Sequence, residues 1–240
     1  MKKKGQVTIF IIIAIILIAS ISLYFIFRDS LSSDEGLSPD VENVYLFVEE
    51  CLENVGEDVI YTIGQGGGYY FPPALSTDSG IAYYSSNGEN YMPSKEQIED
   101  EISYFTSSKL FFCVRNFVDF PEFEITQREI KTKTEIKDEE VILDVKYPIS
   151  ITKGKSTTII EDFEVEIPVR LGVVYDSVLG FIDEGVEDGI CLSCLLDISE
   201  TNDLFVDMFD YDEETVIFIF KDENLKLNDA DFEFIFANQY

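Results

Sequence analysis

The chain contains no histidine. That absence excludes serine–histidine and cysteine–histidine nucleophile pairs, and with them every metal site built on imidazole. Basic residues are scarce as well, with 17 Lys and Arg against 47 Asp and Glu in 240 residues. Four of the basic residues, Lys2, Lys3, Lys4 and Arg28, fall in the first 28 positions, which hold no acidic residue. The remainder therefore carries 13 basic and 47 acidic residues, a net charge of −34. A field of that sign repels nucleic acid and anionic headgroups, so no nucleic-acid partner is expected. It serves solubility and self-repulsion, with loose binding of divalent cations as the sharper alternative. There is no internal repeat. A paired-carboxylate hydrolase stays chemically open, yet among 47 acids no pair stands out by position.

Against these absences stands one long apolar run, Val7 to Phe27, with no charged residue inside it. As a helix it would be roughly 31 Å long, the thickness of a bilayer's hydrocarbon core. A helix satisfies its own backbone, so an Ile-rich composition is tolerated where water offers no partners. Tyr24 and Phe25 lie near the downstream boundary, where aromatic rings favour the membrane interface. Lys2, Lys3 and Lys4 favour a cytoplasmic N-terminus, which places residues 29–240 outside the cell membrane. The run exceeds the ~7–15 apolar residues of a cleaved signal peptide, and no small-x-small site follows its end. The expected partner of Val7–Phe27 is the lipid bilayer, as a single-pass anchor.

Lys4-Gly5-Gln6-Val7, followed directly by the apolar run, resembles the class III signal of archaeal type IV pilins and related surface proteins. The resemblance covers residues 1–28. It implies cleavage between Gly5 and Gln6 by a prepilin-type peptidase, with the apolar helix retained on the mature protein. Two features depart from the pilin pattern. Phe10 stands where many such signals carry a glutamate. The polar, turn-forming stretch Asp29 to Gly36 interrupts a helix that pilins continue into their head. The departures favour a tether over a filament core.

The organisation expected is a leader and anchor over 1–28, a polar linker over 29–37 and an acidic domain over 38–240. Ser38-Pro39 opens a helix, with Ser at the N-cap and Pro at the first helical position. Val41, Val44, Val48, Cys51, Leu52, Val55, Val59 and Ile63 give it one apolar face, and Gly64 ends it. Gly64-Gln65-Gly66-Gly67-Gly68 lacks the Lys-Ser or Lys-Thr of a phosphate loop and follows a helix, so it reads as a helix cap and turn. Residues 69–93 form an irregular aromatic region. It reads as a loop whose rings pack back onto the domain, or as a sugar- or peptide-binding ledge.

Ser94 to Gln97 is a capping box that opens a second helix, with a break expected near Ser107-Ser108. Pro121 closes the helical half, and 121–128 is a candidate sub-boundary. Alternation then predicts a three-strand antiparallel meander through Ile136, Val141–Tyr147 and Ile159–Ile167, with turns at Asp138-Glu139 and at Lys153-Gly154-Lys155. Helices follow over about 170–183 and 191–198, then strands over 204–209, 215–220 and 231–236. The fold class expected is α+β, an N-terminal transmembrane helix followed by an extracytoplasmic domain with a mainly antiparallel sheet.

Cys51 and Cys113 each fall on the apolar face of a helix. If those helices pack together they form a disulfide, and otherwise two separate buried thiols. Cys191-Leu192-Ser193-Cys194 is a single C-x-x-C at a helix start. A structural disulfide or thiol pair, a redox-active dithiol and a share in a four-cysteine zinc site all fit that spacing. No cofactor, resident metal or catalytic residue is expected. The functional expectation is a membrane-anchored surface protein with a structural or interaction role, partnered by envelope or appendage proteins. A pilin-like filament subunit and a membrane-tethered thiol oxidoreductase are the alternatives.

Overall fold

A computed structural model of the chain describes residues 39–185 and 189–240. The Val7–Phe27 segment, Gly5 and Gln6, the 29–37 linker and the Ser38 cap lie outside the described residues. Among the described residues no helix is long and apolar enough to cross a membrane. In chain order the elements are α1 (Pro39–Gln65), β1 (Tyr83–Ser86), β2 (Glu89–Asn90), α2 (Lys95–Cys113), β3 (Glu124–Gln127), β4 (Lys131–Ile136), β5 (Glu140–Lys153) and β6 (Ser156–Pro168). They continue as α3 (Leu171–Gly185), α4 (Leu192–Asn202), β7 (Phe205–Asp210), β8 (Thr215–Leu227) and β9 (Ala230–Gln239). The class is α+β with mainly antiparallel sheets, as the run of periodicities requires. Residues 41–240 form one compact unit, and the change of period near 121–128 falls inside it.

Two sheets make up the β structure. In the first, β5 is flanked along one edge by β6 and along the other by β4 and β3 placed end to end, all antiparallel. Period 2 sorts its faces: Val141, Leu143, Val145, Tyr147, Ile149 and Ile151 are buried, while Asp144 and Lys146 are exposed. On the outer face Lys133 stands opposite Asp144, and Asp144 opposite Glu164. The second sheet has the order β2-β1-β9-β8-β7, antiparallel except for the β1–β9 pair. Its inner face is a phenylalanine cluster, with Phe218, Phe220, Phe232, Phe234 and Phe236 fully buried. Phe181 of α3 packs onto it, 5.0 Å from Phe218 between ring centres. Each such side chain contributes about 1.5–3 kcal/mol on burial.

Helix α1 joins the two sheets. Tyr45 stacks on Phe163 of β6 with ring centres 4.9 Å apart. At the other end the chain turns through Gly67, where an added Cβ would lie 2.6 Å from the Ile235 carbonyl oxygen of β9. The glycine-rich stretch therefore brings backbone against backbone at a positive φ of 60° and is packed rather than loose.

Helix α2 is continuous through Ser107-Ser108, contrary to the expected break, because Ser103 and Ser107 have partners across the domain. Glu99, Ser103 and Ser107 accept hydrogen bonds from the backbone N–H groups of Ile136, Thr134 and Thr132 at 2.9, 3.0 and 3.1 Å. Four residues of helix advance about 6.0 Å and two of strand about 6.6 Å, so three successive pairs stay in step. The outer edge of β4 is thereby closed to further strand pairing. The capping box is present, with Ser94 and Gln97 bonding reciprocally. The 69–93 region is less irregular than its composition suggests. It holds the β1–β2 hairpin, turned by Asn87-Gly88 at positive φ.

Candidate functional site

All four cysteines are paired. Cys51 and Cys113 join α1 to α2 with their Cα atoms 5.8 Å apart, and Cys51 is 5% exposed. Cys191 and Cys194 close a second disulfide, Cα–Cα 5.3 Å, at the start of α4. With no free thiol left, the zinc alternative has no ligand set, and no cluster of three or more metal-ligating side chains occurs among the described residues.

Both cysteines of the second disulfide are half-buried, and the surrounding chain fixes its place. Cys191 is the N-cap of α4, and its sulfur accepts the backbone N–H of Cys194 at 3.2 Å. The Ser193 hydroxyl lies 3.5 Å from the same sulfur. Of the helix itself only Leu195 is buried, so hydrophobic packing alone holds α4 weakly. Its C-terminal end is held by polar contacts instead. Arg170 donates to both carboxylate oxygens of Asp222 at 2.8 Å, and to the carbonyls of Asn202 and Asp203 at 2.9 and 3.0 Å. Asp222 is fully buried, and its hydrogen bonds hold the Arg170 guanidinium protonated even more firmly than usual. Asp203 caps the helix in the left-handed region, and Asn224, from the bulge in β8, donates to its carbonyl and its carboxylate. Asn202 donates to Ser177 of α3 at 3.1 Å.

Between α3 and α4 lies a cleft of about 360 Å³, lined by Asp138, Asp176, Ser177, Cys194, Asp197 and Asn202. Cys194 thus faces a carboxylate-rich recess, and Cys191 sits at the helix terminus. Leu192 and Leu196, one turn apart, are 60% and 61% exposed beside the disulfide. The sequence names the two cysteines as a candidate pair. It does not name Arg170 and Asp222, which lie 52 residues apart and become partners only through the fold.

The aromatic region divides. Tyr84 is fully buried and donates to the Gly67 carbonyl at 2.9 Å, which is a packing role. Burial drives its phenol well above the ordinary range. Tyr70 stacks on Phe105 of α2 with ring centres 3.9 Å apart, under the Lys109 ammonium that also pairs with Asp58 at 2.6 Å. Phe71 stays two-thirds exposed. A second exposed aromatic surface, missed in the sequence, lies on α2 itself. Tyr104 and Phe111 line a groove of about 900 Å³ that runs against Arg128 and Lys131 at the β3–β4 junction. The available signal was Leu110-Phe111-Phe112, three consecutive apolar residues that one helix face cannot bury. Gly5 and Gln6, the expected processing pair, lie outside the described residues.

No protein-family model matches the chain, and neither a curated protein nor a solved structure matches it.

Proposed function

We propose that the chain is a single-pass, membrane-anchored surface protein whose acidic α+β domain lies outside the cytoplasm in a structural or interaction role. The observation that carries this reading is the uncharged run Val7–Phe27 behind Lys2, Lys3 and Lys4. Two disulfides support it, since such bonds form and persist in oxidising compartments outside the cytoplasm. The exposed aromatic groove on α2 is the face best suited to an envelope or appendage partner.

The test is membrane fractionation of the native cell, with protease added to intact cells and mass spectrometry of the purified protein. The expected result is release only by detergent, digestion of the acidic domain from outside, and Gln6 as the first residue. Recovery in the soluble fraction without detergent, or full protection from protease, overturns the reading. The Lys4-Gly5-Gln6-Val7 motif supports a second reading, a pilin-like subunit. Filaments that carry the protein under electron microscopy separate it from the first.

A further inference from the structure

The two disulfides make unequal contributions to the fold. Cys51–Cys113 spans a separation of 62 residues and ties α1 to α2. Cys191–Cys194 spans three and sits on a helix with a single buried residue. Closing so short a loop restrains the unfolded chain less than half as much as closing the long one. Both of its cysteines are half-buried, whereas Cys51 is buried, and it lies at the terminus of an eleven-residue helix, between a carboxylate-lined cleft and two exposed leucines.

We propose that Cys191–Cys194 is a thiol–disulfide exchange site whose substrate is a dithiol carried on an extended polypeptide of neutral or basic charge. The proposal does not depend on the membrane anchor. A client thiolate attacks the Cys191 sulfur and the Cys191–Cys194 bond breaks. The Cys194 sulfur leaves with the electron pair and takes up a proton. The client's second thiolate then attacks the client sulfur of the mixed disulfide, and Cys191 leaves as a thiolate that is protonated in turn. Two electrons and two protons pass from the client dithiol, which becomes a disulfide, to Cys191 and Cys194, which become thiols.

The geometry gives the two sulfurs different tasks. Negative charge on Cys191 is stabilised by the Cys194 N–H at 3.2 Å and by the partial positive charge of the helix N-terminus. That makes Cys191 the better leaving group in the second step. Asp138, Asp176 and Asp197 line the cleft that Cys194 faces and disfavour lasting negative charge there, so this sulfur is the one that takes its proton early. Arg170 clamps the far end of α4 through the Asn202 and Asp203 carbonyls, so the helix keeps its place when the disulfide opens. Leu192 and Leu196 offer the apolar contact, and the net charge of −30 selects against acidic clients.

The experiment uses the purified full chain in mild detergent and a basic peptide that carries two reduced cysteines and flanking leucines. Mass spectrometry after alkylation reads both partners. One equivalent of peptide disulfide per chain is expected, with alkylation appearing on Cys191 and Cys194 while Cys51 and Cys113 stay paired. Cys191→Ser abolishes the reaction. A double variant, Leu192→Ser with Leu196→Ser, slows peptide oxidation about tenfold while leaving reduction by dithiothreitol unchanged, because only the docking contact is lost. The proposal is overturned if the peptide stays reduced, if Cys51–Cys113 opens first, or if Cys191→Ser oxidises the peptide as the wild type does. Circular dichroism of each variant confirms that the fold is intact.

Discussion

Reducing the Cys51–Cys113 bond should cost the domain a large part of its stability, and the size of the loss follows from the loop it closes. A separation of 62 residues gives a loop-closure entropy of roughly 14 cal/mol/K, about 4 kcal/mol at 25 °C. A single domain is stable by only about 5–15 kcal/mol, so the cross-link decides whether the fold has a margin. For a domain of this size 1 kcal/mol moves Tm by about 2–4 °C, which makes the expected fall about 8–16 °C. The clean comparison is made in a Cys191→Ala, Cys194→Ala background, oxidised against reduced, by thermal circular dichroism of the full chain in detergent. Reduction there opens one bond without removing a side chain, so no cavity adds to the loss. The background variant itself should lose under about 2 kcal/mol, because its loop spans only three residues. A fall under about 3 °C on reduction, corresponding to under about 1 kcal/mol, would falsify the argument that loop length sets the contribution.

Other consequences can be checked on the same protein. Arg170→Ala leaves Asp222 buried without its partner and should cost about 3–5 kcal/mol in urea unfolding, whereas Arg170→Met with Asp222→Leu should recover most of that loss. If the double variant is no more stable than the single one, the buried carboxylate is not the source of the cost. Gly180 lies in the middle of α3, and a Cβ there meets nothing within 4 Å. Gly180→Ala should therefore stabilise the domain by roughly 0.5–1 kcal/mol, and a lower Tm counts against the open space at that position. Lys221 and Lys226 bracket Asp231 at 2.9 and 3.1 Å and lower its carboxyl below the ordinary range. Because the folded-state value is the depressed one, this contribution is complete above the unfolded aspartate value and is lost as pH falls through the folded value. Asp231→Asn should lower Tm at pH 7, and the gap to wild type should close below about pH 4. A gap that ignores pH sinks the assignment.

Periodicity alone determined the class and most of the elements. The three-strand meander, the two helices after it and the capping box at Ser94 follow from alternation and cap chemistry, which are local and survive without tertiary context. The anchor proposed for Val7–Phe27 rests first on the sequence, on its length, its lack of charge and the lysines before it. Where elements depend on distant partners, local pattern fell short. The expected strand stops at 220, yet β8 runs on through polar residues to Leu227, where Asp222 pairs with Arg170 and Lys226 with Asp231. Residues 83–90 read as loop and become a hairpin because β9 offers β1 an edge. Continuity of α2 across Ser107-Ser108 depends on β4, where Thr132 partners the Ser107 hydroxyl through both its N–H and its own hydroxyl. The cysteines were visible as candidates from their types and spacing. Only the tertiary structure decided that Cys51 meets Cys113 across 62 residues, and that the C-x-x-C disulfide sits beside an acidic cleft on a helix held by Arg170. Those pairings are set by packing of the whole chain, which no local pattern encodes.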